Sequence, residues 1–175
     1  NLIPFPNTAG EAWFGAILAP NGKIYASPGS GNNPQKLLEF DPTTNSVNLT
    51  SFDNVSGEKW AGAVLAPNGK IYAIPSSGNN PAKLLEVDPT TSSVNLTSFD
   101  IVSGEQWAGA VLAPNGKIYA AQTQGNSSGK LLEVDPTTSI VNFIPFNNVV
   151  GEGWNGIVLA PNGKIYTIPR SGNNP

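Results

Sequence analysis

The sequence predicts an all-β protein: a β-propeller of four-stranded antiparallel blades with a 47-residue repeat, about four blades per chain with the last incomplete. Three observations carry that prediction. A tryptophan returns every 47 residues, at Trp13, Trp60, Trp107 and Trp154. The phrase LAPNGKIY follows each of them. A second turn signal, Asp-Pro-Thr-Thr, starts at Asp41, Asp88 and Asp135. Self-similarity at a fixed period of a few tens of residues marks one supersecondary unit copied along the chain.

The unit at residues 57–103 shows how a copy builds four strands. Its first strand, residues 61–66, is rich in Ala and Gly, as expected where strands of neighbouring units crowd together, and is placed innermost. Pro67-Asn68-Gly69 turns it into the second strand, KIYAIP, because Asn-Gly tolerates the positive φ angles of a tight hairpin turn. The third strand, KLLEVD, ends in Asp88-Pro89-Thr90-Thr91. There Asp accepts backbone N–H groups and Pro fixes φ at the second turn position. The fourth strand, Ser93–Phe99, alternates Val94 and Leu96 with Asn95 and Thr97, so one face is buried, one is wet, and it is placed outermost. Units of this kind are too thin to bury both faces alone and stack as blades around an axis. A β-trefoil also uses four strands per repeat but closes with three copies, and ranks second. A solenoid has no need of two hairpins per period.

The period divides the chain into units near 10–56, 57–103, 104–150 and 151–175, the last completed by residues 1–9. The opening NLIPF is expected to lend an outermost strand to the unit begun by Trp154, the closure by which propellers join their ends. A counterpart of residues 83–88 is then missing. Three arrangements stay open: a closing blade one strand short, a longer natural sequence, or a ring shared by chains that meet head to tail.

Composition narrows the partners. Charged residues make up 12% of the chain and the net charge is −3, unlike the clustered Lys/Arg surface of a nucleic-acid binder, so no nucleic-acid partner is expected. No apolar run approaches the roughly 20 residues that span a bilayer, and no membrane partner is expected. The chain lacks Met and Cys; it is expected to be processed, or part of something longer, and free of disulfides. Sequons at Asn48, Asn54, Asn95 and Asn126 would accept glycans in a secretory pathway. The expected setting is extracellular or secreted.

The string GWNGIVLAPNGKIYTIP at residues 153–169 resembles the blade opening of tachylectin-type propeller lectins. The fuller unit, with NGKIYAIP, GNN and LLEVDPTT, is similar to NHL-type and streptogramin-lyase-like propellers. The first resemblance implies amino-sugar sites between blades, to which the Gly-Trp-Asn region contributes. Only Trp154-Asn155 keeps the Trp-Asn pair; the other copies read Trp13-Phe14, Trp60-Ala61 and Trp107-Ala108. The second implies a catalytic histidine, and this chain has none, so that activity is expected to be absent.

Without His or Cys there is no Ser–His or Cys–His constellation and no usual zinc or copper ligand set. No catalytic residue, metal site or cofactor is expected. Glu11, Glu58, Glu105 and Glu152 stand two residues before each Trp, and Glu39, Glu86 and Glu133 lie in the third strand. All follow the repeat, with no evident acid–base pair. Asp41, Asp88 and Asp135 are explained as turn residues before calcium ligands. The GNN loops at residues 31–33, 78–80 and 172–174 form a second polar surface.

Two roles stand open for the tryptophans: packing between blades first, and stacking on the C–H face of a sugar second. The expected function is a non-catalytic, lectin-like protein with multivalent interblade sites at Glu11, Trp13, Glu58, Trp60, Glu105, Trp107, Glu152, Trp154 and Asn155. Its partner would be a glycan. The alternative is a structural or protein-interaction propeller, designed or recently amplified, or one component of a homo-oligomer or larger assembly.

Overall fold

Turn chemistry sets the architecture. In the computed structural model, which describes residues 11–30, 35–52, 58–76, 82–101, 104–124, 129–146 and 153–171, the Gly69 N–H donates to the Ala66 carbonyl at 3.0 Å and the Ala66 N–H to the Lys70 carbonyl at 2.9 Å. Gly69 takes φ = 79°, while Asn68 is absent from the positive-φ residues. This corrects the expectation of a turn with Asn and Gly both left-handed. Pro67 holds φ near −65°, which suits the first corner of a type I turn, and the left-handed Gly closes a three-residue loop. In the second hairpin Asp88 Oδ1 accepts the Thr90 N–H at 2.8 Å. That loop ends on a left-handed residue, Ser92 at φ = 55°, with Asn45 and Ser139 in the same place at 57° and 56°.

Among the described residues these hairpins generate fourteen strands. The first sheet holds β1 (Ala12–Leu18), β2 (Ile24–Ser30), β3 (Gln35–Asp41) and β4 (Ser46–Phe52). The second holds β5 (Trp60–Leu65), β6 (Ile71–Pro75), β7 (Ala82–Asp88) and β8 (Ser93–Phe99). The third holds β9 (Gln106–Leu112), β10 (Ile118–Gln124), β11 (Lys130–Asp135) and β12 (Ile140–Pro145). β13 (Gly153–Leu159) and β14 (Ile165–Ser171) form the fourth. Strands are paired in sequence order and antiparallel throughout. The described residues contain no helix.

First strands of successive sheets lie against one another, β1 on β5, β5 on β9 and β9 on β13. The sheets therefore follow one another as propeller-like blades with the Ala/Gly strands innermost. Gly62 makes the contact concrete. It sits at φ = +84°, inside a register shift between Trp60 and Ala63, and a Cβ there would come within 2.7 Å of the Gly109 Cα. Inner strands meet backbone to backbone.

The core lies at the blade junctions. Tyr25 and Leu37 of the first blade pack with Trp60, Ile71, Leu85 and Val87 of the second. Val64, Tyr72, Ile74 and Leu84 of the second pack with Trp107, Ile118, Leu132 and Val134 of the third. A smaller cluster joins Tyr119 and Ala121 to Ile157, with Trp154 against it.

The close approach at Gly62 gives a test. Gly22→Ala, at φ = +79° with open space around the added methyl, is expected to cost about 1 kcal/mol of backbone strain. Gly62→Ala adds a backbone collision to the same strain and is expected to cost at least about 2 kcal/mol more in urea denaturation. Equal costs would contradict the backbone contact.

Candidate functional site

The Glu-x-Trp motif lies at the start of each inner strand, where one blade meets the one before it. Trp60 and Trp107 are both 0% exposed, so neither ring offers a face or an edge to solvent. The indoles of Trp60, Trp107 and Trp154 each meet a phenylalanine from the end of the preceding blade: Phe52 to Trp60 at 5.9 Å, Phe99 to Trp107 at 6.4 Å and Phe146 to Trp154 at 5.0 Å between ring centroids. The structure thus puts Trp60 and Trp107 in the packing role. Trp13 and Trp154 are half-buried, and Asn155 is exposed.

The polar edge of the indole is turned inward as well. Trp13 Nε1–H donates to the Lys36 carbonyl at 2.8 Å, and Trp60 Nε1–H to the Lys83 carbonyl at 2.8 Å. Lys36 also meets the glutamate of its own motif, its Nζ lying 3.1 Å from Glu11, and in the third copy Lys130 Nζ lies 2.8 Å from Glu105, whose side chain is wholly buried. In the first copy one lysine on the third strand therefore holds both members of Glu-x-Trp, the indole through its carbonyl and the carboxylate through its ammonium.

The second and third copies depart from this pattern in different ways. Glu58 is 1% exposed, and its Oε2 has no hydrogen-bond partner. Burial pushes its carboxyl up to about 7, with the Lys83 charge opposing the rise. In the third copy Trp107 Nε1 is the atom without a partner. There the ring stacks instead on Phe143, at 5.7 Å and 27°. Glu152 lies outside the described residues.

A second repeated cluster escaped the sequence reading, although its residues, Asn and Lys of the Pro-Asn-Gly-Lys turn, the following Tyr and the Glu of the third strand, stood in plain view. Lys23, Lys70 and Lys117 pair with Glu39, Glu86 and Glu133 at 2.8, 2.8 and 2.7 Å. Tyr119 donates to Glu133 at 2.7 Å. The Lys117 ammonium and then the Tyr119 hydroxyl hold the Glu133 carboxyl below its usual range. The cluster also reaches across the junction. Asn21 Nδ2 donates to the Pro89 carbonyl and Asn68 Nδ2 to the Pro136 carbonyl, both at 2.8 Å, and Ser139 donates to Glu86 at 3.1 Å.

A groove of about 230 Å³ opens beside this latch, lined by Asn68, Asn115, Lys117, Asp135 and Thr137 among others. Its polar groups are committed within the protein: Asp135 Oδ1 accepts the Thr137 N–H at 2.9 Å, and Lys117 is spent on Glu133. Asp41 and Asp88 cap their turns in the same way. Of the four sequons, Asn48 and Asn95 are exposed on outermost strands. Asn54, Asn126 and the GNN loops lie outside the described residues.

The buried, partnerless Glu58 oxygen predicts a pH dependence. A carboxyl raised from 4.5 to about 7 is protonated in the fold over a range where the unfolded chain has lost its proton. The native state then binds more protons, so stability falls as pH rises from about 4.5 to 7, by up to about 3 kcal/mol. Glu58→Gln is expected to remove that slope from urea midpoints measured across this window, leaving the variant the more stable protein above pH 7. An unchanged slope in Glu58→Gln would assign it to another group.

No protein-family model and no curated protein matches the chain. Solved structures do match it. A protein of unknown function from Bacteroides caccae aligns with a TM-score of 0.61 at 14% identity, covering 92% of this chain and 54% of its own. PorZ, a surface component of the type-IX secretion system of Porphyromonas gingivalis, aligns with 0.61 at 13% identity over 90% of this chain and 24% of its own. A luciferin-regenerating enzyme aligns with 0.59 at 16% identity over 90% and 53%. This chain thus spans about half or less of each. At such identities the likeness concerns fold alone: repeated antiparallel blades, coarsely those of β-propellers.

Proposed function

We propose that this chain is a non-catalytic protein-interaction module, a propeller segment whose repeated residues hold blades together and leave its surfaces to a protein partner. The observation that carries the reading is the location of Glu-x-Trp: Trp60 and Trp107 have no exposed surface, and Glu105 is committed to Lys130. A sugar site needs an accessible indole face and accessible acceptors; Trp60 and Trp107 expose no face, and Glu58 and Glu105 are 1% and 0% exposed. Every carboxylate of the junctions recurs in step with the repeat, and the chain has no His or Cys, which leaves no differentiated acid and base for catalysis. Relatedness to NHL-type or tachylectin-type repeats belongs to this proposal, as does an extracellular setting, which the surface location of PorZ favours.

A second reading rests on one place. Trp154 is half-buried and Asn155 exposed, so the Trp-Asn copy is where a glycan would find an amphipathic edge. A glycan array followed by calorimetry separates the readings. Wild type is expected to show no saturable glycan binding. Trp60→Phe is expected to lose roughly 1–3 kcal/mol of stability through the lost Lys83 hydrogen bond and a smaller ring. Saturable binding by wild type that disappears in a folded Asn155→Ala variant would replace the interaction reading with the lectin one.

A further inference from the structure

The repeat builds the same junction between successive blades, and the first of these junctions is closed less tightly than the second. Two differences concern packing. Ser27, one period before Ile74, leaves a cavity of about 10 Å³ bounded by Leu37 of the first blade and by Ala73, Leu85 and Val87 of the second. The Ser27 hydroxyl donates to the Phe14 carbonyl at 2.9 Å, so the void lacks the two or more polar partners that hold a buried water and forfeits packing contacts instead. In the second junction Ile74 is wholly buried. Leu96 of the first junction stands where the second has Phe143, which gathers Phe99 and Trp107 into one aromatic cluster.

The third difference is electrostatic. Glu11 and Glu105 each hold an ion pair, with Lys36 at 3.1 Å and with Lys130 at 2.8 Å. Among the described residues no ion pair joins Glu58 to Lys83, and Glu58 Oε2 is buried without a hydrogen bond. Around it, β7 brings Lys83, whose charge acts on the carboxyl from a distance. β3 brings the neutral Gln35, while Lys36 is paired with Glu11 and Glu39 with Lys23. β4 brings Phe52, set against Trp60, and Lys59, next along the chain, is exposed.

Gln35 links that carboxyl to the other blade. Its Nε2–H donates to the Glu58 carbonyl at 2.6 Å, so the backbone that carries the buried group is bonded to the first blade. One period on, Ala82 stands in the place of Gln35, and the second junction has no such link from that position.

We propose that the junction between the first and second blades is a pH-sensitive seam: when Glu58 gives up its proton to water, its carboxylate turns to solvent, Gln35 carries β3 with it, and the two blades part while the second junction stays closed. The device lies within the chain and holds whether or not a protein partner binds. In the closed seam burial raises the Glu58 carboxyl from 4.5 to about 7; in the open seam water surrounds it and it titrates near its ordinary value. Below about pH 4.5 both states hold the proton and opening is independent of pH. From there to about pH 7 only the open state has lost it, so each unit favours opening about tenfold. Above that both states are ionised and the gain levels off.

The chain has no cysteine, so one introduced thiol reports on one junction. Ala73 and Ala120 lie one period apart, buried in the first and second junctions respectively, and Ala73 borders the cavity, which has room for part of a sulfur. Labelling of Ala73→Cys and Ala120→Cys by a pyridyl disulfide is followed from about pH 4 to about pH 8.5, and each rate is divided by that of the same variant unfolded in urea at the same pH, which cancels the titration of the thiol itself. The ratio for Ala73→Cys is expected to rise between about pH 4.5 and 7 by at least about tenfold, with a ceiling of about 300-fold, and then to level. Ala120→Cys is expected to stay flat, and adding Glu58→Gln is expected to flatten Ala73→Cys. Circular dichroism verifies the fold of each variant; Val87→Cys and Val134→Cys, one period apart in the same two junctions, make the same comparison where an alanine position does not accept the thiol. A flat ratio at the first junction, an equal rise at both junctions, or a rise that survives Glu58→Gln would overturn the proposal.

Discussion

Each blade carries apolar side chains on both faces, and only a neighbouring blade can take the second face out of water. Adjacent residues of one strand show the constraint directly. On β7, Leu84 belongs to the junction with the third blade and Leu85 to the junction with the first; on β6, Tyr72 and Ile71 divide in the same way. A strand sends successive side chains to opposite faces, so β6 is buried along its whole length. Burial at roughly 25 cal/mol per Å² of apolar surface makes the junction, not the isolated sheet, the unit of stability. The tryptophan of each repeat is the largest side chain at that junction, and its period follows from the need to fill the same space at every step.

Filling that space with a ring that carries an N–H, beside strands that carry carboxylates, creates a polar debt inside the junction. The repeat settles it locally. In the first blade one lysine on the third strand accepts the indole through its carbonyl and pairs the motif glutamate through its ammonium; the carbonyl contact recurs in the second blade and the ion pair in the third. A second lysine, in the first hairpin turn, neutralises the buried glutamate of the third strand. Buried charges are tolerable only when paired and hydrogen-bonded, which is why the pair between the hairpin lysine and the third-strand glutamate recurs in the first three blades. Glu58 marks the limit of this arrangement: with one oxygen unpartnered, the carboxyl resists ionisation, and burial outweighs the Lys83 charge.

Local chemistry made much of the fold readable from the sequence. Asp-Pro-Thr-Thr located the outer hairpin closely enough that β8 spans the anticipated Ser93–Phe99, and the Ala/Gly strand was rightly innermost because its small residues let backbones touch at Gly62 and Gly109. The inner hairpin was less legible: Asn-Gly signals a two-residue turn, but the preceding Pro67 imposes type I geometry and leaves Gly69 alone to close it. The site was harder still. Glu-x-Trp reads equally well as a sugar platform or a packing wedge, since the residue types are the same and only burial separates them. The Asn–Tyr–Glu latch was invisible for another reason. Its acceptors, the carbonyls of Pro89 and Pro136, are backbone atoms some 64 to 68 residues away, and no side-chain pattern records a backbone partner.

The third blade shows which part of the repeated site the fold depends on. Phe143 occupies the place of Leu96 and Leu49, and Trp107 stacks on it while its N–H is left buried without a partner. An unsatisfied buried donor costs about 1–3 kcal/mol; an aromatic pair contributes about 0.5–1.5 kcal/mol beyond its area, and the larger ring adds apolar burial of about 0.8 kcal/mol per extra carbon. The two sides are of similar size, so the substitution is tolerated without a change of blade geometry. What survives the exchange is the volume of the indole, 0% exposed in both blades; what is lost is its hydrogen bond. A residue retained as a donor to a ligand would show the reverse, an N–H kept available while the packing around it drifts. In the first and second blades that N–H is consumed by a lysine carbonyl, and in the third it is buried. The indole at these junctions therefore acts through the space it fills.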